Sequence, residues 1–454
     1  MPAEPQTITS LATSLATRQV TASAVVDRCL EQIAQRDSTI NAFITVMADD
    51  ARQAARDADA DIAAGRYLGP LHGVPISIKD LFDVRGTRTT AASRVRQNHR
   101  ADTDAPTIAR LRSAGAIIVG KTNIHEFALG TTNEESAFGP VHHPLDPNRS
   151  PGGSSGGSAA SVLAEMAYAS LGTDTGGSIR IPSAVCGLVG LKPAFRDITT
   201  RGCVPLSSSL DHVGPICRSV ADARLLYDVL RDATPGSDPV SVDRPVRGMR
   251  LGILRGYFAA LLDPQVASSF ESASARVSDA GAVLDEVGIA HAGDIAPIYL
   301  HIALSEAAAF HARALDSRGE DYTPTVRQRL EMGRYILAED YVRALRGRDV
   351  LRQEVNAALD GRDALLLPTV PVPATRLGAT TMKVGTGEES VRNLTLRLTQ
   401  LFNITGHPAI TIPCGRTLEG LPIGAQLVGP RGSTRTLLDI AEALEPYLGP
   451  GVSR

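Results

Sequence analysis

The sequence predicts an α/β fold in which a mixed, largely parallel β-sheet is covered by helices. Along most of the 454 residues, short apolar runs typical of strands alternate with amphipathic patterns at helical spacing. Neither an internal repeat nor a long Gly/Ser/Pro-rich linker interrupts this alternation. We therefore expect a single domain spanning residues 1–454.

The composition is that of an ordinary globular protein, with 43% hydrophobic and 21% charged residues. A net charge of −3 provides no basic field for nucleic acid and no polybasic arm for a membrane surface. The five cysteines are scattered without a CxxC pair, which argues against a zinc site and a disulfide framework. No signal peptide and no apolar run of spanning length is visible, so we expect a cytoplasmic protein.

The N-terminal part, about residues 1–65, is predicted to be helical. Apolar residues recur at helical spacing after Thr21 and Ser23, which are both candidate N-caps. An alanine-rich helical pattern then runs from about Asp49 and ends at Gly65.

Strands and helices alternate after this point. The runs VPISI, AIIVGKTN and MAYASL are typical of strands, and TDAPTIARLRSAG is typical of a helix. A strand over Leu251 to Leu254, a helix over about residues 266–280 and the strand AVLDEV follow. The region of about residues 296–359 is mostly helical and is a candidate cap, and the chain closes with the strands DALLLPT, PAITIPCG and LPIGAQLVG.

Two glycine-flanked serine clusters are the strongest chemical signal, GGSSGG around Ser154 and DTGGS ending at Ser178. Glycine lets backbone N–H groups approach a ligand closely, and acyl transfer needs such donors beside the nucleophile. The second cluster alone is equally typical of a tight strand–helix turn with a capping serine. Two other classes of site are excluded. The loop HHPLDPNRSP leaves no strand for a GxSxG nucleophile elbow, and no Gly-Lys-Ser/Thr follows for a P-loop.

Lys79 ends the run VPISIK, where alternation places it on the same strand face as Ser77. A lysine at a strand end is usually solvated. If it is buried instead, desolvation lowers its pKa and the neutral amine can act as a base. Spacing and composition alone lead no further than a possible Ser–Lys site.

The segment GGSSGGSAA followed by LGTDTGGSIRIPSAVCGLVGLKP closely resembles the signature of the amidase signature family. The blocks LHGVPISIKD, IVGKTNIHEFALG, SLDHVGPICRSVADA, NITGHPAITIPCG and LPIGAQLVG resemble further parts of that family. The resemblance covers most of the chain and is weakest over residues 235–360. It implies the amidase-signature fold, a central mixed sheet with helices on both faces, and amide hydrolysis without a metal or cofactor.

The resemblance also implies roles for individual residues. Lys79 matches the base, Ser154 the bridging serine held after a cis peptide bond from Gly153, and Ser178 the nucleophile. The oxyanion would be held by backbone N–H groups of Thr175, Gly176, Gly177 and Ser178. Polar support for the nucleophile loop would come from Thr173, Asp174 and Arg180.

The function implied is hydrolysis of the C–N bond of a small aliphatic or aryl amide, or of a carbamate, through an acyl-enzyme. The alternative is the glutamine-hydrolysing component of a tRNA-dependent amidotransferase. Two departures favour the first: IHEFALGTTNEESAF stands where that component reads closer to MDEFAMGSSTENSAF, and LRLTQLF before Asn403 lacks an expected acidic residue. A catalytically inactive scaffold is disfavoured because Lys79, Ser154 and Ser178 are all present.

Substrate choice is expected to depend on the loop Gly130, Thr131, Thr132 and Asn133 and on the helices of residues 296–359. Apolar side chains in those helices indicate either a partly hydrophobic acyl or aryl pocket or ordinary packing: Ile298, Tyr299, Leu300, Ile302 and Phe310. We expect a small-molecule amide or carbamate as the partner, with no nucleic acid and no membrane. A homodimer is left open.

Overall fold

The computed structural model describes residues 6–231, 244–385 and 387–449. The helices in this part of the chain are α1 Ile8–Ala16, α2 Ala22–Ile40, α3 Ala48–Ala63, α4 Pro106–Ser113, α5 Gly156–Leu163, α6 Arg180–Cys186, α7 Val220–Leu230, α8 Pro264–Asp279, α9 Ile295–Arg318, α10 Pro324–Gly333, α11 Ala338–Leu359, α12 Val391–Leu396, α13 Gln400–Thr405 and α14 Thr434–Leu448. None of them is long and apolar enough to cross a membrane.

The strands are β1 Phe43–Val46, β2 Pro75–Lys79, β3 Ile117–Thr122, β4 Ala169–Asp174, β5 Val189–Lys192, β6 His212–Cys217, β7 Arg250–Leu254, β8 Val283–Val287, β9 Ala364–Pro368, β10 Thr381–Val384, β11 Gly387–Ser390, β12 Ala409–Arg416 and β13 Pro422–Val428. Eleven of them form one sheet in the order β1-β3-β2-β4-β6-β5-β12-β13-β9-β7-β8, and β10 pairs with β11. One sheet that joins residues 43 to 428 supports the prediction of a single domain.

The predicted mixed sheet is confirmed, but it is less parallel than the alternation of elements indicated. Among its ten neighbouring pairs, β2 runs parallel to β3 and β4, and β7 runs parallel to β8 and β9. The other six pairs are antiparallel. Short apolar runs predict a strand without its direction, because direction depends on how long connections return to the sheet.

Helices cover both faces of the sheet, as predicted. One apolar cluster packs the sheet against α2, α3, α7, α8 and α14, and another packs it against α6, α9, α11 and α13. In β9 the faces alternate, since Leu366 belongs to the first cluster while Leu365 and Leu367 belong to the second.

The N-terminal region is not entirely helical. β1 interrupts it and pairs antiparallel with β3 at the sheet edge. Its four residues lie between two long helices, and four residues are too few for a period of two to stand out. Of the two candidate caps, Thr21 is the N-cap of α2 and accepts from Ala24 N, whereas the Ser23 hydroxyl donates to Asp59.

Candidate active site

β2 and β4 lie side by side and run parallel, so their carboxyl ends meet at one edge. Lys79 ends β2 there, and its fully buried Nζ donates to Ser154 Oγ at 2.8 Å and to Thr173 Oγ1 at 2.7 Å. No carboxylate among the described residues forms an ion pair with it. Burial lowers the pKa of Lys79 to about 7, so much of this amine is neutral near neutral pH.

Ser154 follows Gly153 through a cis peptide bond, as the resemblance implies. The Ser154 carbonyl accepts from His125 N at 3.2 Å. A Cβ on Gly153 would lie 2.9 Å from Asn133 N and from the carbonyl carbon of Thr131, so only glycine allows this close approach. The first serine cluster is therefore packed directly against the loop of residues 130–133.

Ser178 lies in the turn between β4 and α6, where its carbonyl accepts from Ser155 N at 3.3 Å. The structure thus brings Lys79, Ser154 and Ser178 into one small region. Ser178 keeps 5% exposure, whereas Lys79 and Ser154 keep none. Its hydroxyl makes no hydrogen bond within the described ranges, which leaves it available to a substrate.

The turn before Ser178 offers unused backbone donors. The N–H groups of residues 175–178 have no acceptor among the described residues. The turn is held from two sides, because Thr175 Oγ1 donates to Asp211 Oδ1 and Thr399 Oγ1 donates to the Gly176 carbonyl, both at 2.6 Å. Fixed, unpaired N–H groups beside a serine are the arrangement that stabilises a developing oxyanion.

Asp174 and Arg180 form a fully buried ion pair beneath this turn. Arg180 donates to both carboxylate oxygens of Asp174 at 3.1 and 3.0 Å, and Ile179 N donates to one of them. Asn403 donates to Asp174 and accepts from Arg180, which also donates to Gln426. Burial would raise the pKa of Asp174, but the Arg180 guanidinium holds it below its ordinary value. The pair is neutralised and hydrogen-bonded, so it can fix the turn.

Sequence reasoning did not single out several residues that complete this region: His125, Asp211, Tyr299, Thr399 and Gln426. Gln426 had a signal, since it is a lone polar residue in the apolar strand PIGAQLV. Asp211 lay within a quoted block without an assigned role, and burial raises its pKa to about 6. His125 is buried and neither ring nitrogen has a hydrogen-bond partner among the described residues. Burial, reinforced by nearby cations, lowers its pKa to about 3.

Two cavities open near the serine turn. The first, of about 350 Å³, is lined by apolar and polar side chains, among them Tyr299, Leu300, Leu396 and Gln400. The second, of about 310 Å³, is lined by residues that include His125, Thr131, Thr132 and Arg329. Arg392 lines both cavities.

The first cavity reaches the nucleophile turn through Tyr299. A Cβ on Gly176 would lie 2.5 Å from the Tyr299 hydroxyl. Burial raises the pKa of that hydroxyl to about 12, so it is protonated and can donate a hydrogen bond.

The residues expected to bind substrate occupy different positions. Thr131 and Thr132 line the second cavity, while Gly130 packs against the His125 ring and Asn133 accepts from Gly156 N at 3.0 Å. Among the apolar residues of α9 singled out above, Tyr299 and Leu300 line the first cavity. Ile298 and Ile302 pack in the second apolar cluster, and Phe310 is 48% exposed.

Comparison with known proteins gives one consistent result. The profile of the Amidase family matches residues 24–438. The chain is 42% identical over 429 residues to an amidase of Pseudomonas putida, covering 91% of this chain and 90% of that protein. It is 37% identical over 480 residues to the GatA-type component of the glutamyl-tRNA(Gln) amidotransferase of Koribacter versatilis, covering 97% and 98%.

A solved structure described as an amidase superimposes with a TM-score of 0.92 at 35% sequence identity. The superposition covers 98% of this chain and 100% of that one. The likeness therefore includes both serine clusters and the helices over the second face.

Proposed function

The chain belongs to the amidase signature family and is a hydrolase of C–N bonds, and we propose that it cleaves a small amide or carbamate through an acyl-enzyme on Ser178. One observation above all supports this chemistry. Lys79 is fully buried, its partners are hydroxyl and carbonyl groups, and its Nζ lies 2.8 Å from Ser154 Oγ. A lysine in that setting is a base at neutral pH.

In the first step, neutral Lys79 takes the Ser154 proton while Ser154 takes the proton of Ser178. The Ser178 oxygen then forms a bond to the carbonyl carbon, and the carbonyl electron pair moves to oxygen. The N–H groups of residues 175–178 hold that oxyanion, and one such donor is typically worth about 3 kcal/mol.

In the second step, the proton returns from Lys79 through Ser154 to the leaving nitrogen. The C–N bond breaks, an amine or ammonia leaves, and the acyl group stays on Ser178. Protonation matters because an amide nitrogen leaves poorly as an anion. Water then attacks the ester, losing its proton to the same relay, and the acid is released as Ser178 regains a proton.

Glutamine hydrolysis within a tRNA-dependent amidotransferase remains the second candidate. It is favoured by 37% identity to a component of such an enzyme over nearly the whole chain. The segment from Val391 to Asn403 weighs against it, because it contains two arginines and no carboxylate.

The test is a hydrolysis screen over glutamine, aliphatic amides, aryl amides and carbamates, with release of amine or ammonia as the readout. Ser178→Ala and Lys79→Ala should each lower kcat by about 10,000-fold or more in a protein that stays folded by circular dichroism. Combining either with Ser154→Ala should add little, because the three residues act as one relay. Retained turnover in purified Lys79→Ala would overturn the mechanism, and glutaminase activity only with a partner would favour the second candidate.

A further inference from the structure

The wall shared by the two cavities contains a largely buried positive charge that the fold does not neutralise. Arg392, in the first turn of α12, has no hydrogen-bond or ion-pair partner for its guanidinium among the described residues, and its buried Nε is unpaired. Charges inside a fold are normally paired, because desolvation of an unpaired ion is costly. A group from outside the chain is the natural partner for this one.

Arg329 of α10 adds a second positive charge at the same place. It lines the second cavity together with Arg392 and has one protein acceptor among the described residues, the Leu129 carbonyl at 2.7 Å. Burial and the nearby Arg392 lower the pKa of Arg329 to about 10. Two adjacent guanidinium groups repel each other until an anion lies between them.

The acidic side chains around these cavities do not supply that anion. Glu134 accepts from Gly378 N at 2.9 Å and Glu135 accepts from the Thr323 hydroxyl at 3.0 Å, both at the rim of the second cavity. Glu389 of β11 lies at the first cavity. None of the three forms an ion pair with Arg392 or Arg329 within the described ranges.

The position of Arg392 relates this charge to the reaction. Arg392 and Tyr299 line the same cavity, and the Tyr299 hydroxyl packs against Gly176 of the nucleophile turn. An anion bound by Arg392 would therefore lie about one side chain away from the carbonyl that Ser178 attacks. The anion and the scissile amide then belong to one small molecule.

We propose that Arg392, assisted by Arg329, binds a carboxylate of the substrate, so that the enzyme prefers short amides that also have a free carboxylate. This specificity rests on the proposed function. A guanidinium presents a planar fork of donors that matches the two oxygens of a carboxylate. The neutral His125 at the same cavity has a ring N–H to add to that recognition.

The experiment compares matched amides that differ by one charge. The monoamides of malonic, succinic and glutaric acids are each assayed against the neutral amide of equal chain length, which is propionamide, butyramide or valeramide. The wild-type enzyme should prefer at least one acid over its neutral counterpart in kcat/KM. Arg392→Gln should reduce that preference about 10- to 100-fold, mostly through KM, and Arg329→Gln should reduce it less.

Arg327→Gln is the matched control, because Arg327 lies on the same helix as Arg329 but pairs with Glu320 and Glu331 at the surface. It should leave the preference unchanged. Binding is measured in parallel by calorimetry, with succinamate and butyramide titrated into Ser178→Ala and into Ser178→Ala/Arg392→Gln. Succinamate should bind the first variant and bind the second at least about tenfold more weakly.

Two failures are distinguishable. A wild-type enzyme without a preference for the acids, or an Arg392→Gln variant that keeps it, overturns the carboxylate site while Ser178-dependent hydrolysis stands. Equal binding of succinamate to both calorimetry variants overturns it as well. Hydrolysis that survives Ser178→Ala overturns the proposed function itself.

Discussion

Two buried lysines on neighbouring strands have opposite surroundings. Lys121 of β3 forms an ion pair with Asp80 at 2.7 Å, and both side chains are buried. Lys79 of β2 has only hydroxyl groups and one carbonyl as partners among the described residues. A lysine whose charge is neutralised inside the fold has a structural role, whereas a lysine without a counterion can give up its proton.

Two arginines inside the fold divide in the same way. Arg180 donates to Asp174, Asn403 and Gln426, so its charge is fully used within the fold. Arg392 has no such partner among the described residues and faces two cavities. In both comparisons the unpaired cation is the one close to a place where a small molecule can bind.

The largest expected effect separates the two lysines. Lys79→Met should reduce kcat by about 100- to 10,000-fold, because it removes the base, with little loss of stability. Lys121→Met should lower the free energy of unfolding by about 3–5 kcal/mol, because Asp80 is left as an unpaired buried charge. Urea denaturation and steady-state kinetics of the two variants measure both quantities. Similar losses of stability in the two would show that the surroundings of the lysines do not set their roles.

A pH profile sharpens the same comparison. The base must be neutral, and burial lowers the pKa of Lys79 to about 7. Below that pH the amine is protonated, so kcat/KM should fall about tenfold for each unit of acidification, and above it the rate should level off.

Asp211 is the second group that titrates nearby, since burial raises its pKa to about 6. Asp211→Asn removes that titration and should leave the limb near pH 7 in place. A limb that disappears in this variant would assign the profile to Asp211 instead of Lys79.

The smallest effect concerns the nucleophile turn. Thr399→Val removes the hydrogen bond to the Gly176 carbonyl and should lower kcat/KM about 5- to 30-fold. Thr405→Val is the control: its hydroxyl donates to Leu401 O and contacts His407, away from the turn. The two variants should lose similar stability, and only Thr399→Val should lose activity. An equal loss of activity in both would mean that the turn is not held by Thr399.

The sequence predicted the fold class and, through its resemblance to a family, the residues Lys79, Ser154 and Ser178. Their neighbours on the chain are enough to identify them, because glycine-rich turns and a lysine-terminated strand are local patterns. Strand direction and the short β1 were missed, since neither leaves a clear periodic signal. The positions of Tyr299 and Arg392 beside the site could not be found from the sequence, because they depend on helices that return to the site from far along the chain.

The bond between Asn403 and Asp174 joins positions 229 residues apart. Lys79, Ser154 and Ser178 therefore leave the ribosome long before the residue that fixes the turn between them. A nascent or truncated chain has the nucleophile but not its support, and such long-range contacts form late in folding. Hydrolysis is then a property of the finished molecule, and unfinished copies do not expose an active nucleophile to cellular amides.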